Sequence, residues 1–147
     1  MKKTRKGCLF SLLLFIALLL VYNSALTKVE KANKHRSFVA VTVRDAVEDY
    51  FAKHQQYPED VSTLSLKYQN VVEEFLQVGI LEYHRDQSGK KWFTITCRFA
   101  GMLSKGEKNH SMSWSGIQYS NDVSTLPLPA GGHPLADANG FFSADFH

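Results

Sequence analysis

Apolar residues along this chain fall into three patterns, and each predicts a different kind of element. Residues 8–22 read CLFSLLLFIALLLVY, apolar at nearly every position. With residues 23–26 the run reaches the roughly 20 residues a helix needs to cross the hydrocarbon of a bilayer. Beyond it the spacing changes. Val39, Val43, Ala46, Val47, Tyr50 and Phe51 follow a helical period, with Lys34, Arg44, Asp45, Glu48, Asp49 and Lys53 on the other side. Neither Gly nor Pro, the usual helix breakers, occurs between positions 8 and 57. The two patterns therefore predict one continuous helix of about 75 Å at 1.5 Å per residue. Its stop is Gln56-Tyr57-Pro58, because Pro disfavours helix in the residue before it.

The third pattern is shorter and mixed. Tyr68, Val71, Val72, Phe75 and Leu76 share one helical face within residues 66–77, and Gly79 supplies a C-terminal cap. Residues 80–85 and 92–99 read as strands around the turn-rich Asp86-Gln87-Ser88-Gly89-Lys90-Lys91. Phe93, Ile95 and Cys97 alternate with Thr94, Thr96 and Arg98, which predicts a strand buried on one face. Residues 112–119 add a third antiparallel strand, with Trp114 and Ile117 as core candidates. After Asp122 the chain is rich in Pro, Gly and Ala and reads as an irregular tail. The expected class is α+β, a long N-terminal helix packed on a small antiparallel sheet. The expected divisions are a basic head at 1–7, a transmembrane helix at 8–26, a globular domain at 27–121 and a tail at 122–147.

Charge sharpens this division. The formal net charge of +3 is an average over two unlike parts. Residues 1–36 carry eight Lys or Arg against Glu30 alone, a balance of +7, and the rest carries nine basic and thirteen acidic residues, a balance of −4. The basicity belongs to the span and its flanks, where cations meet lipid headgroups. A mildly acidic globular part has no electrostatic motive for binding nucleic acid. The expected non-protein partner is membrane lipid.

Three readings compete for the apolar run. A cleaved secretory signal fits the basic head, but Asn23-Ser24-Ala25 offers a poor exit, with Asn where a small residue is wanted. A lipoprotein signal at Cys8 fails because the apolar stretch follows that cysteine instead of preceding it. A retained anchor suits the length of the run. Lys and Arg are balanced at four on each side, so they do not orient the span. With the globular bulk C-terminal to the span, the expectation is a single-pass protein of the inner (cytoplasmic) membrane with a periplasmic or extracellular domain. Cys8 and Cys97 lie too far apart to form a disulfide framework, and Cys97 reads as a small buried apolar residue.

The order of these features resembles type IV pilins and the pseudopilins of type II secretion systems. A short basic leader ends in Gly7, an apolar helix begins at once and runs into an amphipathic one, and DAVEDYFAKHQQYPEDVSTL at residues 45–64 leads to a small sheet. The stretch from Tyr50 to Pro58 resembles that family's helix exit. The resemblance covers about residues 1–100. It implies that Gly7 is the last leader residue and Cys8 the first mature one, and that other pilin-like subunits are partners through the N-terminal helix. Two positions depart from the family pattern. Cys8 stands where Phe or Met is usual, and Leu12 occupies the fifth mature position, usually Glu. In the family that Glu is thought to offset the N-terminal amine of a neighbouring subunit. Leu12 cannot accept those hydrogen bonds, which implies a minor, tip-located or non-polymerising member.

Little else in the sequence suggests chemistry. No two of His35, His54, His84, His110, His133 and His147 have the spacing by which a helical pair grips a metal. No nucleophile-elbow pattern occurs. Asp137, Asn139, Gly140 and Asp145 carry oxygen ligands near a glycine turn, but without the spacing of a calcium loop. The expectation is therefore no cofactor, no metal and no catalytic residue. The chain is expected to be a structural or assembly subunit of a pilus or secretion system, and not an enzyme. The alternative is a single-span protein with an exported binding or sensor domain.

Overall fold

The computed structural model describes residues 4–101, 116–126, 135–136 and 142–146. Helix α1 (Thr4–His54) is a single uninterrupted helix of 51 residues, about 76 Å long at 1.5 Å per residue. It ends where Gln55 turns into the left-handed region at φ 54°, with its N–H still bonded to the Phe51 carbonyl. Pro58, three residues on, prevents the helix from resuming.

Past that exit, a short 3-10 turn (Val61–Thr63) is capped by the Asp60 carboxylate, which accepts from the Ser62 N–H. Helix α2 (Gln69–Gln77) follows and buries Val72 and Phe75. It begins three residues later than the apolar pattern suggested, with Tyr68 as its N-cap residue. Gly79 closes it at φ +71°, where the Gly79 and Ile80 N–H groups satisfy the carbonyls of Leu76 and Phe75.

The strands are β1 (Leu81–Arg85), β2 (Phe93–Arg98), β3 (Gly116–Ser120), β4 (Leu135–Ala136) and β5 (Phe142–Phe146). They form one antiparallel sheet in the order β1-β2-β3-β5-β4. The turn between β1 and β2 is built on Asp86, whose carboxylate accepts from the N–H groups of Ser88, Lys91 and Trp92 and from the Ser88 hydroxyl. Gly89 sits there at φ +64°, and a Cβ at that position would strike the Arg85 guanidinium.

The core lies between α1 and the sheet. Val39, Ala40, Val43 and Val47 from α1 meet Phe93, Ile95 and Cys97 from β2, all essentially inaccessible to solvent. Tyr50 and Phe51 are only partly buried at its margin. They pack against the core as the helical spacing predicts, without being closed off from solvent. Phe51 also stacks on the Tyr57 ring at 4.3 Å, and Tyr57 in turn lies 4.9 Å from Phe93.

Two further expectations are corrected. The segment after residue 122 is not wholly irregular. β5 pairs with β3 from Gly116↔Phe146 to Ser120↔Phe142, and β4 pairs with β5 at the sheet's end. That pairing joins residues more than twenty positions apart, so no local turn announces it. β2 is also not one-sided. Thr94 and Thr96 are buried along with their alternating apolar neighbours, as are Gln118 and Ser120 opposite them in β3. Polar residues on that second face pair in part with one another, although the Gln118 Oε1 is buried without a partner among the described residues. Gln118 Nε2 donates to Thr96 Oγ1 at 2.8 Å, and Thr125 Oγ1 lies within hydrogen-bond distance of both Ser120 and Thr94. Residues 112–115, including Trp114, lie outside the described residues; Ile117 is buried in β3 as expected.

Candidate functional site

The largest functional feature is α1 itself. Among the described residues, nothing covers its apolar run from Phe10 to Tyr22. Phe10 is 70% exposed, Leu18 60% and Val21 69%. A continuous apolar surface of this size needs a cover other than water. The helix is long and apolar enough to cross a membrane, and among the described residues it is the one candidate span, near the N-terminus. Gly7 and Cys8 fall within its first turns, and Leu12, 54% exposed, lies inside the apolar run.

Where α1 leaves that run it is fastened to the sheet. The Asn33 side chain donates from Nδ2 to the Ala100 carbonyl at 3.1 Å and accepts the Ala100 N–H at 2.7 Å. One turn on, Arg36 Nη1 donates to the Arg98 carbonyl at 2.9 Å. Next to them, the Cys97 thiol sits 3.5 Å from the Arg36 carbonyl. Burial pushes that thiol up to about 11, despite the nearby Arg36 charge, so it is a poor nucleophile near neutral pH. These contacts fix the angle and depth at which the helix meets the domain.

Arg44 overturns its assignment to the polar side of α1. It is buried at 9% exposure, with its guanidinium 5.1 Å from the centroid of the Tyr119 ring and an ion pair to Asp45 at 2.9 Å. Position 44 is four residues from Ala40 and three from Val47, so helical spacing alone places it beside the core stripe. Its charge is tolerated there because the aromatic face and the adjacent carboxylate receive it.

The helix exit is a second fastening. Tyr57 N–H donates to the Gly89 carbonyl, and its hydroxyl accepts from Asn121 Nδ2 at 2.9 Å. Asn121 also donates to the Lys91 carbonyl and accepts the Phe93 N–H. Tyr83 donates its hydroxyl proton to the Pro58 carbonyl at 2.9 Å. Burial, with the negative charges of Glu48 and Asp86 nearby, pushes the Tyr57 hydroxyl up to about 12; burial moves Tyr83 in the same direction. The Asp86 carboxyl is held well below the usual range, chiefly by the Ser88 hydroxyl and then by the backbone N–H groups of its turn.

The described histidines, His35, His54 and His84, lie apart. His35 meets the edge of Phe75, His54 lies on Tyr50, and His84 stands 4.0 Å from Glu82. Among the described residues no three His, Cys, Asp or Glu side chains gather as metal ligands. His110, His133 and His147 lie outside the described residues, as do Asp137, Asn139 and Gly140; Asp145 falls in β5 opposite Ile117. No protein-family model, curated protein or solved structure matches the chain.

Proposed function

We propose that this chain is a membrane-anchored, pilin-like structural or assembly subunit, of the minor pilin or pseudopilin kind, with its domain on the exported side of the cytoplasmic membrane. The observation that carries the reading is the unbroken course of α1, apolar and uncovered in its first half and packed on an antiparallel sheet in its second. A helix of this kind can pack beside copies or relatives in the membrane while holding its domain at a fixed angle. The Asn33 and Arg36 contacts supply the rigidity that such a role needs.

Leu12 narrows the proposal. A processed N-terminal amine inside an apolar bundle requires an acceptor, since an unpaired charge in hydrocarbon costs several kcal/mol or is neutralised. Every added copy with leucine at this position would leave one amine unpaired. A tip subunit has no neighbour beyond it to serve. The chain is therefore a minor, tip-located or non-polymerising subunit. The test is to express it as the sole pilin-like subunit alongside its assembly machinery and to look by electron microscopy. No long filaments are expected. Long filaments made mainly of this chain would refute the assignment.

A further inference from the structure

The stripe of α1 that faces the sheet continues past the sheet's end. Asn33 is its last position tied to the backbone after β2. Toward the N-terminus the stripe goes on through Val29 and Leu26, at helical spacing. An open groove of about 620 Å³ lies here between the helix and Phe99. Leu26, Val29 and Phe99 give it an apolar floor, and Glu30, Lys34 and Ser37 form its polar rim.

Its height relative to a bilayer follows from the helix rise. Leu26 both closes the apolar run and lines the groove. If Leu26 marks the hydrocarbon boundary, Glu30 stands about 6 Å above it. That is within the polar layer, roughly 5–8 Å thick on each side of the hydrocarbon. Lys34 starts one turn higher, but helical side chains lean toward the N-terminus. Its ammonium is 2.8 Å from the Glu30 carboxylate, which brings it down to the same level. Both side chains are well exposed, at 75% and 65%, so this pair is weak and can exchange partners with a ligand.

We propose that the groove seats one phospholipid of the surrounding leaflet whose headgroup carries a phosphate and a primary ammonium, of the phosphatidylethanolamine type. The phosphate meets Lys34, the ammonium donates to Glu30, and the first acyl carbons lie on Leu26 and Val29. A trimethylammonium headgroup has no N–H to donate to Glu30, and a purely anionic headgroup would leave that carboxylate facing negative charge. Lys28 and Lys31 also lie at this level but do not line the groove; they attract anionic lipid to the annulus without selecting the groove's occupant. The inference rests on the membrane-span reading of α1 and specifies the lipid partner of that span.

The test is native mass spectrometry of the full chain in detergent, with equal amounts of phosphatidylethanolamine, phosphatidylcholine and phosphatidylglycerol bearing the same acyl chains. One retained lipid is expected, with phosphatidylethanolamine favoured about threefold or more over each of the others. Glu30→Gln should abolish that preference and raise the phosphatidylglycerol share. Val29→Trp should fill the floor and remove retention of all three, with the unfolding midpoint unchanged. Equal retention of the three lipids, a preference for phosphatidylglycerol in the unaltered chain, or indifference to both substitutions would overturn the proposal. So would a dimer dissolved by Val29→Trp, which would assign the groove to a second copy. Membrane fractionation of the same chain separates the two failures. A chain that stays in membranes without lipid selectivity defeats only the groove, whereas a chain found in the soluble fraction defeats the span as well.

Discussion

Asn33 and Ala100 are joined by two hydrogen bonds, in which one amide side chain satisfies both the N–H and the carbonyl of a single backbone position 67 residues away. The side chain acts as a one-residue strand at the point where β2 has ended and the chain leaves the sheet. It lies two turns beyond the apolar run, so it fixes the domain to the helix close to the predicted membrane boundary. Asn33→Ala should therefore leave a half-buried backbone donor and acceptor unpaired, at a cost of about 1–3 kcal/mol. The unfolding midpoint of the detergent-solubilised chain measures this. A midpoint equal to that of the unaltered protein would show that water replaces both bonds.

The core should respond unequally to the loss of the Phe93 and Phe51 rings. Phe93 is fully buried between the helix and Tyr57, and Phe93→Ala should cost about 3–5 kcal/mol. Phe51 is only partly buried at the margin of the core, so Phe51→Ala should cost clearly less. Denaturant titration of the two variants side by side decides it. Equal losses would mean that Phe51 belongs to the core proper.

Stability should fall in alkaline solution through the helix exit. The Tyr57 hydroxyl ionises near 12 in the fold, against about 10 in an unfolded chain. A folded-state value raised in this way gives a contribution that is fully present below about pH 10 and is lost as pH rises through the folded value. Tyr83 is displaced in the same direction and adds to the effect. Tyr57→Phe should flatten the decline of unfolding free energy between about pH 10 and 12. An unchanged slope would place Tyr57 in an ordinary aqueous environment.

The membrane span is testable with one charge. Leu14 lies within the apolar run and is 54% exposed. Leu14→Arg should oppose insertion by about 2.5–3.5 kcal/mol at the helix centre. Alkaline extraction of membranes should leave the unaltered chain in the pellet and release a large part of the variant. Complete release of the unaltered chain would end the reading of α1 as an anchor.

The long helix and the β1–β2 hairpin were legible because their signals are local. The absence of Gly and Pro from Cys8 to Tyr57 foretold the continuity of α1, and Asp86 to Lys91 carried the chemistry of the turn. What escaped was set by distant partners. Nothing near Asn33 points to Ala100, and nothing near residues 142–146 points to β3. Thr94 and Thr96 look like a solvent face until Gln118 and Thr125 supply their partners. Arg44 was recoverable from spacing, since it falls beside Ala40 and Val47, but its charge outweighed its position.

The central claim, a pilin-like subunit anchored by α1, is tested most directly by the intact mass of the protein extracted from membranes in which its assembly machinery is present. In the pilin reading the chain is cut between Gly7 and Cys8. The account predicts a mass lower than that of the full chain by the peptide of residues 1–7, with Cys8 as the new N-terminus. A mass that includes residues 1–7 would contradict it, and would favour an ordinary single-span anchor carrying an exported binding or sensor domain.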